Sequence, residues 1–104
     1  MTKITVRYQS TGEFISLKSE GHADSAPKGE DLVCAAISGV ILGGINALEE
    51  KHFQIKVNEK QGNIELCNVG KMNEHDNVVI EVIVSQLQSI ARDNPKFMKI
   101  SVEK

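Results

Sequence analysis

Twice along this chain, a pair of segments with alternating apolar residues gives way to a segment with apolar spacing of three and four. A single alternating segment then closes the sequence. Strand side chains switch faces at every residue, whereas helix side chains return to one face every 3.6 residues, so the two periods dictate different elements. Ile4, Val6 and Tyr8 read as a first strand, and residues 14–20, with Ile15 and Leu17 on one face, as a second after the Ser10-Thr11-Gly12 turn. Residues 32–50 read as a helix, with Val33, Ala36, Ile37, Val40, Ile41, Gly44, Ile45 and Leu48 on its apolar face. Residues 54–60 and 64–69 repeat the strand pair around Gln61-Gly62-Asn63. A second helix capped by Asn73 or Asp76 runs to Arg92, with Val79, Ile80, Ile83, Leu87, Ile90 and Ala91 facing inward. Asn94-Pro95 stops it, and residues 97–102 form a last strand. The order ββα-ββα-β predicts an α+β fold of two layers, a mixed five-stranded sheet covered by two helices.

The first helix carries Gly39, Gly43 and Gly44 in its interior. Each costs about 1 kcal/mol relative to alanine. Close packing against another element is the expected compensation, which predicts a central, mostly buried helix. With 104 residues and no linker or low-complexity stretch, residues 1–104 read as one domain.

Composition narrows the function. The formal net charge is -2 and no dense Lys/Arg tract occurs, so a nucleic-acid footprint is not expected. Tyr8, Phe14, Phe53 and Phe97 are too few and scattered for a base-stacking platform. No apolar run approaches a membrane span and no hydrophobic signal core is visible at the N-terminus. Two cysteines without an export signal point to free thiols and a cytoplasmic location.

The stretch GHADSAPKGEDLVCAAIS, residues 21–38, carries the chemistry. It sets His22 at the end of one strand and Cys34 in the first turn of a helix. Partial positive charge and unpaired N–H groups at a helix start favour a thiolate and can receive the oxyanion formed when it attacks a carbonyl. An imidazole brought back by the loop can take the thiol proton and return one to a leaving amine. By residue type alone, the alternative is a small core cysteine and a turn histidine.

The run Gly21-His22-Ala23, followed by Gly29-x-Asp31-x-Val33-Cys34-Ala35-Ala36-Ile37-Ser38, resembles the signature of the ribosomal-processing cysteine protease family, Prp. The resemblance implies that His22 and Cys34 are the catalytic pair, with Asp31 and Ser38 at the family's supporting positions. It further implies cytoplasmic, homodimeric bacterial enzymes; no cofactor is expected. These remove an N-terminal extension from the precursor of a large-subunit ribosomal protein, the twenty-seventh in the standard naming, after an aromatic and apolar stretch. The loop of Ala23, Asp24, Ser25, Ala26, Pro27 and Lys28 lacks the aromatic residue that many relatives place there, which bears on peptide preference more than on reaction type.

Asp31 has two readings, an N-cap that anchors the loop and a carboxylate that orients His22. Its negative charge opposes a thiolate at Cys34, so it is not there to activate the sulfur. Ser38, one turn after Cys34, either lines the site or bonds back to its own helix. Gly21 and Gly29 are expected to permit the bends that bracket the loop. That loop, poor in apolar anchors, is expected to order over bound peptide and so bring His22 to Cys34. Cys67 reads as a core or surface thiol, and a zinc site from both cysteines with His52 and His75 lacks any close ligand pair; no metal is expected. The competing functions are a non-catalytic ribosome-associated module docking through a sheet edge, and a thiol-dependent acyl-transfer or redox protein. The absence of Cys-x-x-Cys weakens the redox version.

Overall fold

The structure is a computed structural model that describes residues 1–27 and 31–104. It contains strands β1 (Thr2–Tyr8) and β2 (Phe14–Glu20), helix α1 (Leu32–Ile45), strands β3 (Phe53–Asn58) and β4 (Asn63–Asn68), helix α2 (Glu74–Asp93) and strand β5 (Met98–Glu103). The ββα-ββα-β order read from the periodicities is the order observed. The strands form one sheet in the order β3-β4-β2-β1-β5. β1 and β5 run parallel and the other neighbours antiparallel, so the sheet is mixed.

One face of the sheet supplies Ile4, Val6, Phe14, Leu17, Ile64 and Leu66 to the core. Ile37 and Ile41 of α1 and Ile80, Ile83, Val84 and Leu87 of α2 close over it. The opposite face carries Lys3, Arg7, Lys18, Glu20 and Lys99 in solvent, the hydrophobic-in, polar-out alternation of a one-sided sheet. α2 behaves as its pattern predicts. Asn73 is its cap and accepts from the Asp76 N–H at 2.8 Å.

Three expectations need correction. First, α1 ends at Ile45 rather than continuing to residue 50. Ala47 and Leu48 close tight turns onto Gly44 and Ile45, Leu48 drops into the core, and buried Asp76 accepts the Glu49 N–H at 3.3 Å. That carboxylate draws off an N–H that helix continuation would need. Second, α1 is not mostly buried. Ile37 and Ile41 are its buried residues, while Leu32 is 81% and Leu42 39% exposed. Of its glycines, Gly44 meets the close-packing expectation, because an added Cβ would overlap the Ile83 side chain of α2. A Cβ at Gly39 or Gly43 would meet open space. Third, Ile15 does not share a face with Leu17. Arg7 pairs with Ser16 but Tyr8 pairs with Phe14, a bulge that turns Phe14 inward and leaves Ile15 39% exposed.

Candidate active site

The end of β2 and the start of α1 converge on one spot. Gly21, at φ +84°, turns the chain out of β2 in the left-handed region that suits glycine. Both backbone groups of Gly21 are held: its N–H donates to Asn63 Oδ1 at 3.1 Å, and its carbonyl accepts from the Thr2 hydroxyl at 3.1 Å. His22 follows immediately and is pinned by what precedes it. Its Nδ1 lies 3.9 Å from Cys34 Sγ, the long end of a sulfur hydrogen bond. Catalytic hydrogen bonds are often loose before substrate engages. Its other ring nitrogen, Nε2, lies 3.4 Å from the Lys60 carbonyl oxygen in the β3–β4 turn.

Asp31 caps α1, and its engagements are specific. Oδ1 accepts the Cys34 N–H at 2.9 Å, Oδ2 accepts the Ser25 N–H at 3.0 Å, and the Ser25 hydroxyl also donates to Oδ1. The carboxylate therefore folds the described part of the loop back onto the helix start, while His22 takes its partner from another element. The same capping changes the expected oxyanion site: the Cys34 N–H is taken by the Asp31 side chain and the Ala35 N–H by the Asp31 carbonyl at 3.0 Å. The helix start thus has fewer free donors than its sequence implied.

Ser25 is the main reason that Asp31 lies below the ordinary carboxylate range. Its hydroxyl has the largest effect, partial burial works the other way, and the N–H groups of Cys34, Ser25 and Val33 add to the lowering. A carboxyl lowered on folding stabilises the fold above its unfolded value, near 4, and loses that contribution as pH falls through the folded value. Asp31→Asn keeps one acceptor but no charge. Its urea midpoint is expected to fall below that of wild type near neutral pH and to converge with it below about pH 4. A gap that persists unchanged into acid would assign the effect to shape rather than charge.

Two cavities meet at the histidine and cysteine. The first, about 560 Å³, is lined by Asp24, Ala26, Asp31, Glu59 and Lys60 together with His22, Cys34 and Ser38. The second, about 340 Å³, shares His22, Cys34 and Ser38 and continues over the apolar side chains of Ile37, Leu42, Val57 and Ile64. A larger concavity of about 880 Å³ lies against Tyr8, Phe14 and Glu81, but no cysteine or histidine lines it. Size alone would select it; reactive chemistry selects the other two. Ser38 lies between those two, and among the described residues no hydrogen bond engages its hydroxyl.

Of the predicted loop, Ala23 is buried, and Ser25 is tied to Asp31. Lys28 and Gly29 lie outside the described residues. The histidine already stands beside the cysteine, so no long His–Cys distance remains for loop closure to shorten. Sequence reasoning missed Lys60, Gly62 and Asn63. Gly62 looked only like a turn glycine, yet a Cβ there would come within 2.9 Å of the His22 ring. At Cys67, burial, then its hydrogen bond to Glu65, push the thiol up. Among the described residues no group of three or more His, Cys, Asp and Glu could hold a metal ion, and no helix is long and apolar enough to cross a membrane.

Residues 1–99 match the model of the family described as cysteine protease Prp. The chain belongs to the cysteine protease Prp family. The ribosomal processing cysteine protease Prp of Mycoplasma genitalium is 37% identical over 87 residues, covering 84% of this chain and 87% of that protein. The Prp of Staphylococcus aureus is 25% identical over 96 residues, covering 89% and 91%. A crystal structure of the S. aureus Prp in complex with a covalently linked product peptide shares the fold, with a TM-score of 0.91 at 22% identity over 98% of this chain and 99% of that one. Another, in complex with a substrate peptide, gives a TM-score of 0.85 at 21% identity over the same shares of the two chains. Membership in Prp makes the chain a cysteine protease.

Proposed function

We propose that this protease removes a short N-terminal extension from a large-subunit ribosomal protein, the twenty-seventh, using Cys34 as nucleophile and His22 as its base. The observation that carries the reading is the 3.9 Å approach of Cys34 Sγ to His22 Nδ1 at the junction of two cavities. Support for the substrate comes from the relatives named as ribosomal processing proteases.

The Cys34 thiol gives its proton to His22 Nδ1 as sulfur attacks the scissile carbonyl carbon. The resulting oxyanion collapses, the C–N bond breaks, and His22 returns the proton to the departing amine. Water then attacks the thioester, giving one proton to His22, and the thiolate leaves and is reprotonated. Ser38, which lines the same two cavities as Cys34, donates to the oxyanion in place of the capped N–H groups of α1. The cavity over Ile37, Leu42, Val57 and Ile64 takes the apolar residues on one side of the cut, and the cavity with Asp24, Asp31 and Glu59 takes the other side. Asp31 holds the loop and the helix start, and Gly21 holds the turn into His22.

The enzyme works in the cytoplasm as a homodimer, as its family resemblance implies. Support for self-association comes from the face between the helices, where exposed Val78 and Val82 flank the open side of Gly39 and Gly43. A second copy would cover it.

The test is incubation of the reduced protein with the full-length ribosomal precursor and with a precursor lacking the extension, read by intact mass. Loss of the N-terminal segment from the first alone, with a transient acyl adduct on Cys34, is expected. A full-length precursor left uncut would overturn the reading.

A further inference from the structure

The His22 ring is backed by a segment about forty residues further along the chain. The β3–β4 turn, residues 59–62, brings the Lys60 carbonyl oxygen to 3.4 Å from Nε2, on the side of the ring away from Cys34. Gly62 sits at φ +67°, and a Cβ there would lie 2.9 Å from both Cε1 and Nδ1 of His22 and 3.0 Å from the Gly21 carbonyl carbon. The next residue, Asn63, accepts the Gly21 N–H through its side chain at 3.1 Å. Asp31, the nearby carboxylate that could have oriented the ring, is occupied by Ser25 and Cys34.

We propose that this turn is the orienting third part of the catalytic group, with Gly62 as a positioning residue. The proposal rests on the assignment of Cys34 and His22 as the reacting pair. A backbone carbonyl can only accept, and a neutral imidazole carries one N–H. The proton therefore sits on Nε2, where Lys60 holds it, and Nδ1 faces the sulfur as an acceptor. A backbone atom supplies the orienting contact, so the identity of the Lys60 side chain is irrelevant to it. The constraint in the sequence falls instead on Gly62, because only a residue without a Cβ lets the ring come this close to a turn in the left-handed region.

Two measurements test this. Long-range ¹H–¹⁵N spectra of histidine-labelled wild-type protein, at a pH where His22 is neutral, are expected to show the Nε2–H tautomer at His22; the Nδ1–H tautomer would overturn the proposal. Kinetics on a peptide substrate then compare Gly62→Ala with Gly12→Ala. Gly12 has φ +92° and nothing within 4 Å of an added Cβ, so its variant carries the backbone strain without the ring contact. Gly62→Ala is expected to lower kcat about a hundredfold with KM changed less than about twofold, as for a misplaced catalytic group. It is also expected to lose the Nε2–H signature, while Gly12→Ala keeps both the rate and the signature. An unchanged kcat in Gly62→Ala, or an equal loss in Gly12→Ala, would overturn the role of Gly62. Should Gly62→Ala fail to fold, the wild-type tautomer still decides. A wild-type protein that cuts no precursor would count against the protease assignment, whereas a cleaving enzyme with the other tautomer would count against the turn alone.

Discussion

Cys34→Ala is expected to lose about 10⁶-fold in kcat, the scale on which removal of a covalent nucleophile acts, and to leave the fold intact. Two observations support the second half of that expectation. The Cys34 side chain is only partly buried, and its contribution to the helix cap is made by its backbone N–H, which alanine keeps. Stability is expected to change by no more than about 1 kcal/mol, well inside the range of ordinary substitutions. Peptide affinity, measured by calorimetry on the variant, should stay close to that of wild type. Cleavage by Cys34→Ala within a hundredfold of wild type would show that another residue is the nucleophile.

His22→Gln is expected to lower kcat by about 10²–10⁴-fold, the contribution of a general base, with little change in KM. Glutamine can still donate an amide N–H toward the Lys60 carbonyl, so the turn keeps a partner, but no group remains to take the thiol proton. The same variant should alkylate more slowly at Cys34 with iodoacetamide near neutral pH, while Cys67 labelling stays as it was. That second readout separates loss of the base from loss of peptide binding. A rate within about tenfold of wild type would remove His22 from proton transfer.

Much of the architecture was legible because the two side-chain periods are clean. α2 shows this best: Asn73 caps it, and Ile80, Ile83 and Leu87 line its inner face as their spacing requires. The failures have local physical causes. Ile15 and Leu17 satisfy simple alternation, but a bulge at Tyr8 and Phe14 adds a residue and reverses the face of Ile15. α1 carries apolar residues on most of its circumference, so periodicity could not say which ones the sheet would cover. Beyond its end, the Glu49 N–H goes to Asp76, a residue in another helix, which no local pattern reveals.

The candidate site divides in the same way. His22, Asp31, Cys34 and Ser38 lie within seventeen residues and could be assembled on paper from one strand end and one helix start. Lys60, Gly62 and Asn63 could not. They reach Gly21 and His22 because β2 pairs with β4, Ser19 opposite Ile64, and no local pattern announces which strand lies beside which. A backbone carbonyl and a glycine also leave no chemical signature in a sequence. The Asp31 cap was foreseen, but not that it would occupy the N–H of Cys34 itself.

The pairing of β2 with β4 also bears on when the protein becomes competent during its own synthesis. Once residues 1–45 have left the ribosome, His22, Asp31, Cys34 and Ser38 have been delivered, yet no part of β4. β4, which abuts β2 on the side away from β1, is still inside the exit tunnel, and β5, which lies on the other side of β1, follows later still. Until those distant strands dock, Gly21 lacks its Asn63 partner and the imidazole has nothing behind it. On the proposed assignment the nascent thiol is therefore a bystander, and hydrolytic power arrives with the completed sheet rather than with Cys34 and His22 themselves.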